Sequence, residues 1–322
     1  MRNLLAPPAV DIPGPGLREA TTPASTHAIH QSGHMLAAFW EVTKPRVVAL
    51  LALEALAGGA LAARGTLAPH TGTILAAGAC VWLGAAGAEA LTNTIDRDID
   101  ARMRRTCARA LPAGRLAPSQ AMGLGSVLVA AAFALAAPLG VWPALYLALG
   151  LFDNVVVYNL LTKRHTPWSA VLGAFSGGAP ALIGYAAVAH GVGWLGWLLA
   201  GTVILWTPVH VWTLAWRHGA DYRAAGVPIP SNVWHKEPVA ACVGGCALLV
   251  ASLGAILAFG SGEWVAVVGA AGGAAALASP TWRLWRLKDA PRATAVFRAA
   301  NLYLALLLCA LIVGGLAIKI QR

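Results

Sequence analysis

Acidic residues are scarce in this sequence, with 13 Asp and Glu among 322 residues, and charged residues of both signs make up only 11%. Because a soluble domain carries about 25% charged residues, this composition excludes an ordinary soluble enzyme or binding domain. The alternating short segments that build a membrane β-barrel are also absent from the sequence. The chain has five cysteines, and their positions do not form a disulfide framework.

The chain is instead rich in long apolar runs, and 58% of its residues are hydrophobic. Each run is about 20 residues long, which is the length that an α-helix needs to cross the hydrocarbon core of a bilayer. We therefore predict an all-α integral membrane protein with nine transmembrane helices around a central cavity. The predicted spans are 47–64, 72–93, 121–139, 142–161, 169–189, 193–213, 238–259, 264–279 and 297–318.

The start of the chain differs from the rest, because five prolines stand among small and polar residues within residues 1–37. This composition predicts a flexible tail over residues 1–37, followed by one membrane domain over residues 38–322.

Lys and Arg give the chain a net charge of +10, and they concentrate in alternate connections between the predicted spans. Under the positive-inside rule, this pattern places the N-terminus and the long basic loops on the cytoplasmic side of the cell membrane, whether inner or plasma membrane. The chemistry is therefore expected at the cytoplasmic face. The positive charge reports topology and attraction to the lipid bilayer, and no nucleic-acid partner is expected.

Three of the scarce acids fall within residues 93–100, at the end of the second predicted span. At 3.6 residues per turn, Glu89, Asn93, Asp96 and Asp100 share one helix face, whereas Asp98 points away. Two carboxylates one turn apart can hold Mg²⁺, an ion that keeps several waters and shares its coordination with substrate phosphates. The alternative is a helix end whose acids are solvated at the membrane edge.

The segment Asn93-Thr94-Ile95-Asp96-Arg97-Asp98-Ile99-Asp100 resembles the first Asp-rich motif of the UbiA superfamily of intramembrane prenyltransferases. The segments 43–47, 158–168 and 173–185 resemble other parts of that superfamily in order and spacing. Residues 206–212 and 221–228 are similar more narrowly to its heme O synthase branch. The departures from the branch pattern touch the cavity lining more than the diphosphate site, and they are Thr92, Ser169, Ala181, Val209 and Val211.

This resemblance implies a transferase that moves the farnesyl group of farnesyl diphosphate to a vinyl group of heme B, giving heme O, with Mg²⁺ as cofactor. It also implies heme A synthase or a terminal oxidase assembly as partners. The implied metal ligands are Asn93, Asp96, Asp100 and Asp221. Asp221 is the only acid in the segment 214–236, so the sequence leaves open whether one or two Mg²⁺ ions are bound.

Cations near these acids are expected to bind the diphosphate, since Arg offers a two-pronged donor and Lys a point charge. Each cation has an alternative role as a positive-inside anchor, and we favour that role for Arg104, Arg109 and Arg115. The predicted diphosphate-binding residues are Lys44, Arg46, Arg102, Arg105, Lys163 and Arg164.

Aromatic faces attract an allylic cation without attacking it. The residues expected to do so are Tyr158, Tyr185, Trp206 and Trp212. His210 is expected to contact heme or handle a proton, or alternatively to be a hydrogen-bonded structural residue. The predicted catalytic set is Asp96, Asp100, Tyr158, Lys163 and His210.

Two other functions compete with heme farnesylation. One is a UbiA-type prenyltransferase that acts on an aromatic ring or quinone precursor, which the changes in the cavity lining leave open. The other is a transporter or heme-binding membrane protein without catalysis, for which intramembrane acids would suit proton coupling. The gathering of acids and bases at one face, with no visible inverted repeat, argues against the transporter.

Overall fold

Nine apolar segments of the chain form helices that are long enough to cross a membrane, as counted within residues 35–64 and 66–317, which the computed structural model describes. The described part contains no β-strand, so the predicted all-α membrane fold is confirmed. The helices are α1 (Pro45–Ala63), α2 (Leu67–Ile95), α3 (Pro118–Leu139), α4 (Val141–Thr162), α5 (Ser169–Ala189), α6 (Trp194–Arg217), α7 (Lys236–Ser261), α8 (Trp264–Leu287) and α9 (Ala290–Ala317).

The predicted flexible tail falls mostly outside the described residues, which begin at residue 35 with a short helix over 35–42. Several helices are longer than the predicted spans. For example, α2 begins at Leu67 rather than at 72, and α8 continues to Leu287 rather than ending at 279. Hydropathy falls where polar side chains such as Arg283 enter the sequence, but backbone hydrogen bonding continues past that point, so the helix outlasts the apolar run.

The helices pack in a ring in which chain neighbours contact each other and α9 returns to α1. One apolar core lies among α6, α7, α8 and α9, where Leu199, Leu257, Leu284 and Leu307 are fully buried. A second core lies among α2, α3, α4 and α5. Because nine helices alternate in direction, the connections 96–117, 163–168 and 218–235 and the start of α1 all lie at one end of the bundle.

Helices α1 and α5 cross the ring interior in direct contact with each other. A Cβ atom added at Gly184 would overlap the backbone oxygen of Ala55, and one added at Gly58 would overlap that of Ala181. Small residues that allow two backbones to approach are the usual means of packing helices in a membrane. These glycines therefore fix the separation of the two helices that border the central cavity.

The last part of α4 is not an α-helix, because residues Asp153–Thr162 form a π-helix. The backbone N–H of Lys163 donates to the carbonyl of Tyr158, five residues earlier, at 2.8 Å. Helix α5 is interrupted between Leu172 and Phe175. The Asp153 carboxylate accepts a hydrogen bond of 2.7 Å from the backbone N–H of Ser176, in the first turn after this interruption. π-helices are rare and occur often at functional sites, and this one ends directly beside the acidic cluster.

Candidate active site

Asp96 lies where α2 stops, and its backbone (φ −88°, ψ 4°) joins α2 to a second short helix, Arg97–Arg102. The single continuous helix assumed from the sequence is therefore two helices joined at Asp96. Asp98 nevertheless points away from the other three residues, as the helix periodicity predicted. Asn93, Asp96 and Asp100 are buried, whereas the Asp98 side chain is 52% exposed.

Lys163, at the end of the π-helix, forms an ion pair with Asp96 Oδ2. Its ammonium group also lies 3.4 Å from Asn159 Oδ1 and 5.6 Å from the centre of the Tyr158 ring. Burial alone would lower the pKa of Lys163, but its interactions with Tyr158 and with Asp96 outweigh burial and raise the pKa. Lys163 is therefore a fixed positive charge beside Asp96, placed to meet an anion.

The second carboxylate oxygen of Asp96, Oδ1, is buried and has no hydrogen-bond partner. Asn93 donates its amide N–H to the carbonyl of Val42 at 2.7 Å. The amide oxygen of Asn93 is therefore the atom that could bind a metal. A buried carboxylate oxygen without a partner is costly, and hard oxygen donors are the ligands that Mg²⁺ prefers. Asp96 Oδ1 and Asn93 Oδ1 therefore fit a magnesium ion chemically.

Asp100 is paired on its other side with Arg109, whose Nη1 lies 3.0 Å from Asp100 Oδ2. Lys44 donates to Glu89 at 2.6 Å, and its backbone takes the left-handed value φ 47° at the start of α1. A left-handed backbone is strained for lysine and is typical of functional sites. One small cavity is lined by two cations and two residues with oxygen donors, namely Lys44, Arg109, Asn93 and Asp100.

Asp221 is buried in the short helix Gly219–Ala224, and it joins two connections at this end of the bundle. Its carboxylate accepts a hydrogen bond from the backbone N–H of Arg105 at 3.4 Å and lies 3.5 Å from Arg104 Nε.

Within residues 35–64 and 66–317, no three His, Cys, Asp or Glu side chains group closely enough to hold a metal. A bound ion would therefore depend on amide oxygens, water and substrate phosphate to complete its coordination.

Asp98 and Arg164 form a separate, two-pronged ion pair with distances of 2.7 and 2.8 Å. Arg164 also donates to the carbonyl of Ile95 at the end of α2, at 2.8 Å. The hydrogen bond from Arg164 lowers the pKa of Asp98 below its ordinary value. This pair fastens the end of α4, next to Lys163, to the junction after α2, and the part of Arg164 in binding a diphosphate stays a prediction.

A narrow cavity of about 70 Å³ runs inward between α1, α2, α4 and α5. Its polar end carries Glu89, Asn154 and Ser176, and its walls are apolar, including Leu147 and Ile183. This volume holds about two water molecules. A long prenyl chain would therefore enter it only if the surrounding helices separate.

Trp212 is 3% exposed and lines a second small cavity with Tyr158, Lys163 and Tyr222. Its ring meets those of Trp168 and Trp234 at centroid distances of 5.9 and 6.2 Å. Tyr158 approaches the backbone so closely that a Cβ added at Gly173 would lie 2.6 Å from the Tyr158 Cβ. Tyr158 and Trp212 thus line the same cavity as Lys163, and their expected role beside an allylic cation stays a prediction.

Trp206 and His210 are placed differently from those expectations. Trp206 donates its indole N–H to the carbonyl of Ala300 at 2.8 Å, and His210 Nδ1 lies 2.8 Å from Asn301 Oδ1. The His210 ring also packs on Trp206 and on Phe297. Both side chains therefore join α6 to α9, which favours the structural alternative for His210, and their part in catalysis stays a prediction.

Three predicted diphosphate-binding cations, Arg46, Arg102 and Arg105, are exposed, and their side chains make no ion pair with the described acids. Arg109, which the sequence analysis favoured as a membrane anchor, instead pairs with Asp100. A signal for this was present, because Met103, Thr106 and Ala110 recur at helical spacing among the arginines and are buried. Such spacing indicates a folded loop rather than a solvated basic run.

Comparison with known proteins agrees with this geometry. The UbiA prenyltransferase family matches residues 51–317. The protoheme IX farnesyltransferase of Thermoplasma acidophilum is 39% identical over 222 residues, which are 69% of this chain and 77% of that protein. Protoheme IX farnesyltransferase 2 of Cenarchaeum symbiosum is 34% identical over 304 residues, which are 87% of this chain and 96% of that protein.

Solved structures share the fold. The apo structure of a UbiA homologue from Aeropyrum pernix K1 superposes with a TM-score of 0.68 at 20% identity, covering 86% of this chain and 99% of that chain. A UbiA homologue from Archaeoglobus fulgidus, bound to GPP and Mg²⁺, superposes with a TM-score of 0.55 at 14% identity, covering 85% of this chain and 99% of that chain. Because the family match spans most of the chain and the relatives align along its length, this chain belongs to the UbiA prenyltransferase family.

Proposed function

We propose that the protein transfers the farnesyl group of farnesyl diphosphate to a vinyl group of heme B and so makes heme O. The relatives that align over most of the chain carry the name protoheme IX farnesyltransferase. The structural observation that carries the proposal is the pairing of Asp96 with Lys163 and of Asp100 with Arg109 at the end of the bundle where α2 stops. Such a cluster offers oxygen ligands to a metal and cations to a diphosphate at the same place.

In this proposal, Asp96, Asp100 and Asn93 would hold Mg²⁺, with Asp221 as a further carboxylate across the site. Bound Mg²⁺ would stabilise the negative charge that develops on the departing diphosphate, worth several kcal/mol of barrier lowering. Lys163 shares that task, since it is fixed beside Asp96 by its ion pair.

The remaining cations would bind and orient the diphosphate. Arg109 and Lys44 line the cavity that holds Asp100 and Asn93, and both would exchange their carboxylate partners for phosphate oxygens. Tyr158 and Trp212 would face the allylic cation, attracting it electrostatically while excluding water. The π-electrons of the vinyl group would then form the new carbon–carbon bond as the carbon–oxygen bond to the diphosphate breaks. Water would add to the cation left on the other vinyl carbon and lose a proton, giving a hydroxyethylfarnesyl group.

We also propose that the site faces the cytoplasm, with the N-terminus on the same side of the cell membrane. The support is the excess of Lys and Arg in the connections at the end of the bundle that carries Asp96. A heme A synthase or a terminal oxidase assembly would consume the product, because heme O released from this site is a modified, membrane-bound heme.

A product assay tests this function. The purified protein is incubated with farnesyl diphosphate, heme B and Mg²⁺, with and without EDTA, and products are identified by mass spectrometry. We expect a heme product that carries a hydroxyethylfarnesyl group, which adds one farnesyl unit and one hydroxyl to heme B, and that disappears with EDTA. No heme product, but consumption of farnesyl diphosphate when a phenolic acceptor is supplied, would contradict the heme assignment and favour an aromatic prenyltransferase.

A further inference from the structure

A groove of about 450 Å³ lies between α7 and α8, and the active-site residues do not contribute to it. Its α7 wall consists mainly of small residues between Ala241 and Ala251, and its α8 wall extends from Ala274 to Trp285. The α7 wall includes Gly244 and Gly245, which have no side chain to fill the space. The groove therefore results from small residues on two neighbouring helices that leave room between them.

The dimensions of this groove match one leaflet of a bilayer. Ala241 to Ala251 spans about 15 Å of helix at 1.5 Å per residue. The hydrocarbon core is about 30 Å thick, so the groove is about as deep as a single leaflet. Leu248 at its edge is 69% exposed, which places the groove on the outer, lipid-facing surface of the bundle.

The end of the groove at the end of α8 is aromatic and basic. Trp282 and Trp285 stack with a centroid distance of 5.1 Å, and the Arg286 guanidinium lies 5.2 Å from the centre of the Trp282 ring. Lys288 follows the last residue of α8 as its C-cap, two residues after Arg286. Tryptophan and arginine in this arrangement are typical of the interface between hydrocarbon and headgroups.

Positive charge at this end exceeds negative charge. Asp289 is already paired with Arg292, at 3.0 Å, so it does not neutralise the other cations. The negative charge of Glu237, in the first turn of α7, is offset by the positive charge of its neighbour Lys236. Arg283, Arg286 and Lys288 thus remain as three cations without a carboxylate partner among the described ion pairs, and Arg286 is the one that lies over Trp282 of the groove. An anionic headgroup at this position would complete the charge balance.

We propose that the groove between α7 and α8 binds an anionic phospholipid, with one acyl chain lying against Gly244 and Gly245 and the phosphate against Arg286 and Lys288. The apolar walls fit a hydrocarbon chain of one leaflet, and the two cations fit a phosphate. A neutral phospholipid would gain the chain contact only. A transmembrane helix of a second copy would fill the groove without using the cations.

The structure provides two independent variants and a matched control for each. A Cβ added at Gly245 meets nothing within 4 Å, so Gly245→Leu fills the groove without disturbing helix packing. Gly272 on α8 is equally free of contacts and does not line the groove, so Gly272→Leu is its control. The headgroup variant is Arg286→Gln with Lys288→Gln, and its control is Arg115→Gln, a cation at the same end of the bundle that contacts Glu41.

The test is native mass spectrometry of the purified full chain, titrated with phosphatidylglycerol or with phosphatidylcholine of the same acyl chains. We expect one phosphatidylglycerol to bind about tenfold more tightly than phosphatidylcholine. Gly245→Leu should weaken both lipids, the double cation variant should remove only the preference, and both controls should match the wild type. Equal binding of the two lipids, or Gly245→Leu behaving as Gly272→Leu does, would overturn the proposal. A dimer that Gly245→Leu dissociates would overturn it as well, in favour of a second copy.

Discussion

The two oxygens of Asp96 have different surroundings. Oδ2 is bound by Lys163, whereas Oδ1 is buried without a hydrogen-bond partner and lies 4.0 Å from Arg164 Nη2. An unpaired, buried carboxylate oxygen costs about 1–3 kcal/mol or more. A bound cation would remove that cost, so the residue is prepared for a ligand that the cluster itself does not supply.

The first prediction concerns the three acids of the Asp-rich segment. Asp96→Asn and Asp100→Asn should each lower the turnover rate by about a hundredfold to a thousandfold, because each removes charge that would hold the metal at the departing diphosphate. Asp98→Asn should lower it much less, since Asp98 is exposed and pairs with Arg164. Single-turnover product formation measures this, and unchanged thermal unfolding would show that each variant folds. Wild-type turnover in Asp96→Asn would refute the metal assignment.

Arg109 gives a second prediction at this scale. Arg109→Gln should raise the KM for farnesyl diphosphate by about tenfold, because the cation that pairs with Asp100 would otherwise bind a phosphate oxygen. Arg115→Gln is the matched control, since Arg115 lies in the same connection but contacts Glu41 at 2.7 Å. Steady-state kinetics of both variants distinguish the two roles. If the two substitutions had equal effects on KM, the result would instead support the alternative that Arg109 is a positive-inside membrane anchor.

At the scale of elements, the π-helix Asp153–Thr162 determines where Tyr158 and Lys163 point. Hydropathy predicted a helix over this region but not that its last part is a π-helix. In a span where nearly every residue is apolar, the spacing of apolar residues does not distinguish an α-helix from a π-helix. The π-helix is held by contacts distant in sequence, namely Asp153 with Ser176 and Tyr158 against Gly173. Such contacts could not be predicted from local sequence.

Gly173 provides the prediction for this element. Gly173→Ala would bring a Cβ within 2.6 Å of the Tyr158 Cβ, so Tyr158 and the end of the π-helix must shift. We expect the turnover rate to fall by about tenfold or more, because a small misplacement of a positioning group is enough for such losses. Gly123→Ala is the control, since a Cβ there meets nothing within 4 Å. Equal turnover of the two variants would show that the Tyr158 position is not important for the reaction.

At the scale of the whole molecule, composition and apolar run length were sufficient to predict nine membrane helices and one polar end that carries the acids. The burial of Asn93, Asp96 and Asp100 against the exposure of Asp98 also follows the predicted helix phase. The partners of the acids did not follow from sequence. Arg109, Lys163 and Arg164 have equal charge, and only the fold decides which carboxylate each one meets.

The predicted orientation in the membrane can be tested with native Cys107. This cysteine is exposed in the connection that follows α2, whereas the other exposed cysteines lie within membrane helices. A membrane-impermeant maleimide should label Cys107 in inverted vesicles but not in intact cells. Gly191→Cys, in the connection between α5 and α6, should show the reverse pattern. Labelling of Cys107 from outside intact cells would invert the proposed topology.

The most direct test of the central claim is whether Asp96 holds a metal together with a diphosphate. Mn²⁺ replaces Mg²⁺ as a spectroscopic probe, and an unreactive thiolodiphosphate analogue of farnesyl diphosphate replaces the donor. Electron paramagnetic resonance then reports bound Mn²⁺ in the wild type, in Asp96→Asn and in Asp98→Asn. We predict analogue-dependent binding of Mn²⁺ in the wild type and in Asp98→Asn, with loss of binding in Asp96→Asn. Binding to Asp96→Asn as strong as to the wild type would contradict the account.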